Sequence, residues 1–486
     1  MAITSVPAAG ITPAPTKQAL QENYIDFANA GANSANWAQQ YLPDLMEKEA
    51  EVFGNRTISG FLSQVGAEES MSADQVIWSE QGRLHLSYKT VALTAASKVG
   101  TLTFTASTDA DGKAMTGANH GVRAGDMILV SDADSTTRCY VTAVAASGVC
   151  TILRFDDANI ASGNLAAGNV SILVFGSNFA KGSIGRTGAN KPQFTSRTNR
   201  PIILKDKYEV SGSDASAIGW VEVSGEEGQN GYMWYLKASG DTKARFSDYL
   251  EMSMMESEKT VAAGIVMPSA AGGGKVQGTE GLWEALETRG NITNAFDGTG
   301  ALLAEFDLML AELDKNGAIE ENMMFLDRGA SLQVDDMLAG LSDGAQGGTS
   351  YGVFNNEEDM ALNLGFTGFR RGSYDFYKSD FKYLNDSSTR GLINGTDAVN
   401  AIHGVMIPAG VSSVYDQNLG KNLKRPFLHV RYRASQMESR KYKTWTTGSV
   451  GATTSDLDAM EMHFLSERCL VVQGANNFFL LKGTNA

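Results

Sequence analysis

From Asn199 to Lys259 the order of apolar and polar positions sets out two elements in series. Pro201-Ile202-Ile203-Leu204-Lys205-Asp206-Lys207-Tyr208-Glu209-Val210 reads as an extended segment, followed by a Ser-Gly-Ser-Asp turn and the short apolar run Ala217 to Val223. After Gly228 comes the stretch Tyr232 to Lys259, which ends in a Met-rich cluster at Met252, Met254 and Met255. No proline interrupts the chain between Pro201 and Pro268, so a strand-like arm feeding one long helix is the simplest reading.

Upstream, residues 1–20 are rich in Ala, Pro and Thr and read as an extended arm, while residues 21–53 turn helical, with Tyr24, Phe27 and Ala28 at helical spacing and Tyr41, Leu42, Leu45 and Met46 further on. Ile58 to Val65 and Val76 to Tyr88 alternate apolar and polar positions and predict a hairpin with Gly82 near its turn. At about Val91 the pattern changes. Residues 91–177 carry short strands at close spacing (Thr101–Thr105, Met127–Ser131, Cys139–Val144, Thr151–Phe155, Val170–Phe175), which predicts a small all-β barrel or sandwich set into an extended element.

Downstream, Leu302, Phe306, Met309, Leu310 and Leu313 share one face of a helix over 301–316, with Gly317 as its stop. A second helix is predicted from Gly329 to Leu341, strands over Phe366 to Tyr383, and Gly-rich loops at 270–274 and 344–352. The tail is strand-dominated: Phe427–Tyr432, Arg440–Thr446, Ala459–Leu465, Leu470–Gln473 and Phe478–Leu481.

Composition adds scale and charge. The 486 residues allow about three domains at roughly 150 residues each. Hydrophobic content of 43% and charged content of 20% fit a folded chain. A formal net charge of −15 argues against the whole protein wrapping nucleic acid. Two basic islands stand out, Lys181 to Val210 and Lys421 to Lys443. They are either parts that meet acidic surfaces or solvated strand faces, and the pattern allows both. Cys139, Cys150 and Cys469 form no CxxC pair; Cys139 and Cys150 could face each other across a hairpin, and free buried thiols are the plainer expectation.

Candidate chemistry is sparse. Gly272-Gly273-Gly274-Lys275 lacks the upstream glycine and the Ser/Thr of a phosphate-binding loop. His85, His120, His403, His429 and His463 have no second ligand at metal spacing. Asp335-Asp336 and Glu357-Glu358 carry no geometry that sequence can read. No secretory leader and no run of the roughly 20 apolar residues that span a bilayer are present, so the reading is a soluble, non-enzymatic protein made in a cytoplasm, with no cofactor, no metal and no membrane partner.

Taken in order, the arm, the extended element with its β insertion, the return segment Lys205 to Val223, the long helix Tyr232 to Lys259 and the closing strands Met462 to Lys482 resemble the major capsid proteins of tailed double-stranded DNA bacteriophages. The resemblance implies the HK97-like α+β fold. Its parts would be an N-terminal arm at 1–60, an extended loop at 61–90 and 178–227, and an all-β insertion domain at 91–177. A spine helix and the first part of the peripheral domain would occupy 228–319, an axial domain 320–425, and return strands 426–486.

It also implies a structural protein that self-assembles into the icosahedral head of a virion around packaged double-stranded DNA, without sequence-specific DNA contacts. Intersubunit contacts would fall to Arg186, Lys191, Arg197, Arg200, Lys205, Lys207, Trp220, Lys424, Arg425, Arg431 and Arg433, with apolar burial by Ile202 and Leu204. The implied partners are further copies in hexamers and in pentamers or beside a separate vertex protein, a portal, and auxiliary or decoration proteins. Residues 1–20 offer no charged helical segment of the kind some relatives carry, so a separate scaffolding protein and no N-terminal maturation cleavage are expected. The residues for covalent crosslinking known in some relatives cannot be mapped onto this sequence, so no crosslink is predicted and its presence stays open. Two alternatives differ in class. A cellular nanocompartment shell of the same fold is usually much shorter and lacks such an insertion. A β-rich surface adhesin would explain 91–177 but not the arm, the long helix or the missing leader.

Overall fold

The computed structural model describes residues 67–82, 85–95, 97–105, 107–109, 112–115, 117–160, 168–190, 194–216, 222–224, 230–260, 265–266, 275–276, 278–294, 302–317, 319–342, 368–394, 401–409, 411–416, 421–449 and 454–483. The expected N-terminal arm, the helix over 21–53, the strand Ile58 to Val65, the loops 270–274 and 344–352, and Lys191 and Trp220 lie outside these residues.

One long strand, Ala459–Val472, organises the first sheet. Ile202–Ser211 pairs with it antiparallel from Ile202 opposite Arg468 to Ser211 opposite Ala459. Lys443–Gly448 and Leu428–Arg433 pair with it in succession, and Ala67–Met71 adds parallel to Leu428–Arg433. The sequence reads two strands here because Ser466, Glu467 and Arg468 interrupt the apolar run. All three are nevertheless buried, since distant strands supply their partners. Ser466 Oγ donates to the Lys441 carbonyl at 2.6 Å, Arg468 donates to the same carbonyl at 3.0 Å, and Glu467 lies 2.7 Å from both Arg433 and Arg440.

The long helix is Met233–Glu256, within the span that the pattern predicts. Phe246 and Leu250 bury against Phe464, with Leu204, Tyr442 and Met462 packed alongside, so it lies on one face of this sheet. Met254 and Met255, from the Met-rich cluster, go into the largest core. Ser211 ends the preceding strand: its Oγ accepts from the Asp214 amide at 3.1 Å, which starts the short helix Gly212–Ser216 where a turn was expected.

A second sheet runs in the order Asn291–Thr293, Phe479–Lys482, Ile402–Pro408, Glu321–Leu326, Tyr374–Asp380, Gly368–Arg371. Alternate residues of its central strands serve two cores. Phe325, Val405, Ile407 and Leu480 face Leu282–Arg289 and the end of the long helix. Met324, Leu326, Met406, Phe479 and Leu481 face the helices Leu302–Asn316 and Arg328–Ser342. Burial on both faces is why these strands read as continuous apolar runs. The helix Leu302–Asn316 presents Phe306, Met309 and Leu313 as expected and stops at Gly317, whose φ of +61° suits glycine.

The third body spans Ser87 to Ser177. Eight strands form one antiparallel sheet, and pairing of Gly168–Ser177 with both Asp126–Ser131 and Ser87–Ala95 closes six of them into a barrel. The expected strands Met127–Ser131, Cys139–Val144, Thr151–Phe155 and Val170–Phe175 fall within or largely within observed ones. Its interior, including Tyr88, Val91, Phe104, Ile128, Val141, Ile152 and Ile172, is a core of its own. Cys139 and Cys150 are both free and buried there. The predicted hairpin Val76 to Tyr88 does not form. Val76–Gln81 pairs with Phe194–Asn199, and Ser87–Ala95 belongs to the barrel, because each finds a partner after the barrel or inside it rather than across Gly82.

Candidate assembly surfaces

The two-stranded ribbon Val76–Gln81 with Phe194–Asn199 joins the barrel to the rest of the chain. Its root is held by a cluster of hydrogen bonds. Asn199 is fully buried; its Nδ2 donates to Leu470 O at 2.6 Å and Glu280 O at 3.1 Å. Its Oδ1 accepts from the amides of Arg200 and Glu280, both at 2.8 Å, and from Thr279 Oγ1 at 3.1 Å. Every polar atom of the side chain is used, which fixes the point where ribbon becomes sheet strand.

Other contacts brace the same joint. Lys259, just past the long helix, donates from Nζ to Thr198 O at 2.6 Å, and Glu284 accepts from the Lys259 amide at 3.0 Å. Burial pushes the Glu284 carboxyl above its ordinary pKa, opposed by that amide. Arg289 lies with its guanidinium 5.8 Å from the Trp78 ring centre and donates to Glu280 at 2.7 Å. Glu80 accepts from Trp78 Nε1 at 3.1 Å and from the Gly474 amide at 3.2 Å. Sequence reasoning missed this joint. Its only sequence signal is a polar Asn directly before Arg200-Pro201 at the end of a strand.

The sequence-predicted contact residues are placed as follows. Arg186 donates to the buried Asp126 carboxylate at 3.0 Å, inside the barrel region. Arg197 lies 3.5 Å from Glu80 on the ribbon. Lys207 donates to Glu209 at 2.8 Å and Glu461 at 3.0 Å, and these bonds raise its pKa. Arg431 donates to Glu69 at 2.8 Å, and Arg433 pairs with Asp74 and Glu467. Lys424 and Arg425 sit in the strand Lys421–Pro426, opposite Ser413 and Ser412. The Arg200 amide is held by Asn199, and Arg200 has further partners. Lys205 is exposed and its side chain has no partner among the described residues. The strand Ile202–Ser211, expected in an arm reaching onto a neighbour, is thus a member of its own chain's sheet, and much of the basic charge is neutralised within the chain.

Solved structures with a similar course include a chain of Mycobacterium phage Ogopogo, at 9% identity and a TM-score of 0.41, over 91% of this chain and 97% of that one. A chain of the capsid of the native GTA particle has 10% identity and a TM-score of 0.41, over 94% and 100%. A chain of the capsid of Cyanophage P-SCSP1u has 8% identity and a TM-score of 0.40, over 96% and 100%. No protein-family profile and no curated protein matches the sequence.

Among the described residues, the geometry offers candidate contact surfaces. The face of Ile202–Ser211 turned away from the long helix carries Ile203, Lys205, Lys207 and Glu209, all exposed. Beside it, Trp445 stacks on His463 at 5.1 Å between ring centres, and the Lys443 ammonium lies 5.6 Å from the Trp445 ring centre. Across the strand ladder Lys207 reaches Glu461, so this face mixes both charges with exposed apolar groups.

Proposed function

We propose that the chain is the major capsid protein of a tailed double-stranded DNA bacteriophage, copies of which build an icosahedral head around packaged DNA. The observation that carries this reading is the ribbon: two strands braced at the root by Asn199, Lys259 and Arg289 bear a separately cored barrel at their far end. A part so anchored, with no shared core at its tip, is built to touch something beyond its own sheets. The insertion reading of 91–177, the extended loop on both sides of it and the spine role of Met233–Glu256 belong to this proposal. So do an axial domain around the second sheet and a peripheral domain around the first.

Partners in this reading are further copies in hexamers, and pentamers or a separate vertex protein, together with a portal, a separate scaffolding protein and auxiliary proteins. The protein resides in the virion. Each contact is weak, about 0–1 kcal/mol for an exposed ion pair, and repetition over many copies makes the shell stable. The net charge of −15 suits a wall that does not clamp the phosphate backbone. Negative-stain microscopy of the protein from its native source, or of the full chain made together with its scaffolding protein, tests the reading. Uniform icosahedral particles are the expected outcome, nuclease-protected DNA inside them distinguishes a head from a compartment, and monodisperse single chains at high concentration sink it.

A further inference from the structure

The outside of the barrel is not uniform. On one side, Gly168–Ser177, Asp126–Ser131 and Thr136–Val144 lie next to one another. Their interior residues are Ile172, Ile128, Val130, Cys139 and Val141, so the intervening residues face solvent. Towards one end of these strands those residues are mostly apolar, with Arg138, opposite Leu129, as the charged exception; Ser171, Ser131 and Thr142 lie outside this cluster. Leu173 stands opposite Leu129, Met127 opposite Tyr140, and Phe155 packs its ring against Tyr140 at 6.1 Å between centres. Phe175 sits at the bulge between Val174 and Gly176 and points outward, 49% exposed; Phe155 is 52% exposed and Leu173 40%. Around the ring, the outward positions of Val99–Thr103 and Ser87–Ala95 include Thr101, Thr103 and Thr94 beside the single exposed Val99, so the contiguous apolar surface lies as a stripe on the first side.

We infer that this stripe is a contact surface for a second copy of the chain, formed only where copies are already held side by side. The inference rests on the shell reading above. Size argues for a copy over a free partner. With about 150–250 Å² per aromatic side chain, the stripe exposes roughly 300–500 Å² of apolar surface. A stable complex between free proteins buries about 800 Å² on each side. The stripe is too small to recruit a partner from solution, and sufficient for a neighbour whose position the shell already fixes. Charge points the same way. At the edge of the stripe Arg154 pairs with Asp156 at 2.5 Å, and Lys98 with Asp157 at 2.5 Å. A chain of net charge −15 brings like charge towards like charge when copies meet; the paired rim adds little to that repulsion, and Arg138, opposite Leu129, sets a positive charge within the stripe.

The test places a photoreactive benzoyl-phenylalanine at Phe175 in the full chain. Irradiated particles are expected to yield a covalent chain-to-chain dimer, and the same chain irradiated unassembled and dilute is expected to yield none. A parallel variant, Leu173→Ser with Phe175→Ser, keeps the barrel core untouched. It is expected to form particles that dissociate at a lower denaturant concentration than the parent, with the barrel's own unfolding unchanged. Particles that give no chain-to-chain dimer, or a crosslink to a different polypeptide, overturn the inference and leave the shell reading standing. A dimer of equal yield in the dilute unassembled chain overturns the claim that assembly is required. A parent protein that forms no particles in its native source overturns the shell reading itself.

Discussion

His120 is a side chain whose environment sets a pH dependence. It is 2% exposed, stacked on Phe104 at 4.0 Å, and its Nε2 lies 2.7 Å from the Gly148 carbonyl. A carbonyl only accepts, so Nε2 carries the proton, and the buried Nδ1 is bare and without a partner among the described residues. Burial lowers the imidazole pKa below its ordinary 6.5, opposed by the Gly148 bond and assisted by Arg123. The unfolded chain therefore takes up a proton before the folded barrel does. Stability falls as pH drops below about 6.5, until the lowered folded value is passed. The barrel's unfolding temperature should fall between pH 7.5 and pH 5.5, and the fall should be smaller in His120→Gln. Equal slopes in parent and variant would assign the effect to other groups. The thiols give a second residue-scale prediction. Burial raises Cys139 to about 11 and Cys150 and Cys469 to about 12, so none presents a thiolate near neutral pH. A thiol reagent at pH 8 should label none of the three in the folded chain within minutes and all three in urea; rapid labelling of any one in the native state contradicts this burial. Asn199→Ala leaves buried partners of both polarities unpaired, and should destabilise the first sheet by about 2–4 kcal/mol in urea unfolding of the unassembled chain.

The elements divide by whether their partners are near in sequence. The helix Leu302–Asn316 and the barrel strands were legible because their periodicity and turns are local. The pairing of Ile202–Ser211 with Ala459–Val472 was not, since nothing near either strand announces a partner more than 200 residues away. Nor was the continuity of Ala459–Val472, because Glu467 and Arg468 look like a break until Arg433, Arg440 and Lys441 are brought beside them. The basic islands were visible in the sequence, but their internal partners Glu80, Glu69, Asp74 and Glu461 were not. The ribbon root shows what this hidden pairing controls. Lys259→Met removes a charged donor to Thr198 O, a bond worth about 1.5–3 kcal/mol. Amides of Phe194–Asn199 should then exchange roughly ten- to a hundredfold faster, while those of Ile402–Pro408 keep the parent rate. Uniform acceleration through both sheets would mean that the bond supports the whole chain and not the ribbon.

At the scale of the whole molecule the open question is which charges remain for a neighbour once the internal pairs are subtracted. Arg186, Arg197, Lys207, Arg431 and Arg433 each have a carboxylate of their own chain. Reversing any of them perturbs the subunit as well as its contacts, so an assembly defect there is ambiguous. Lys205 differs. It lies exposed on Ile202–Ser211, its backbone is paired with Leu465, and its side chain has no partner among the described residues. Lys205→Glu should leave the unfolding free energy of the unassembled chain nearly unchanged, within about 0.5 kcal/mol. If this strand face meets an acidic part of an adjacent copy, the reversal should raise the protein concentration needed for particles to form. The difference from the parent should shrink as salt rises past about 0.5 M, because exposed charges are then screened within a few ångströms. Lys207→Glu is the comparison: it sets a third carboxylate beside Glu209 and Glu461, and should lower the stability of the unassembled chain as well. A Lys205→Glu chain that assembles at the parent's concentration in low salt would remove Lys205 from the contacts of the proposed shell.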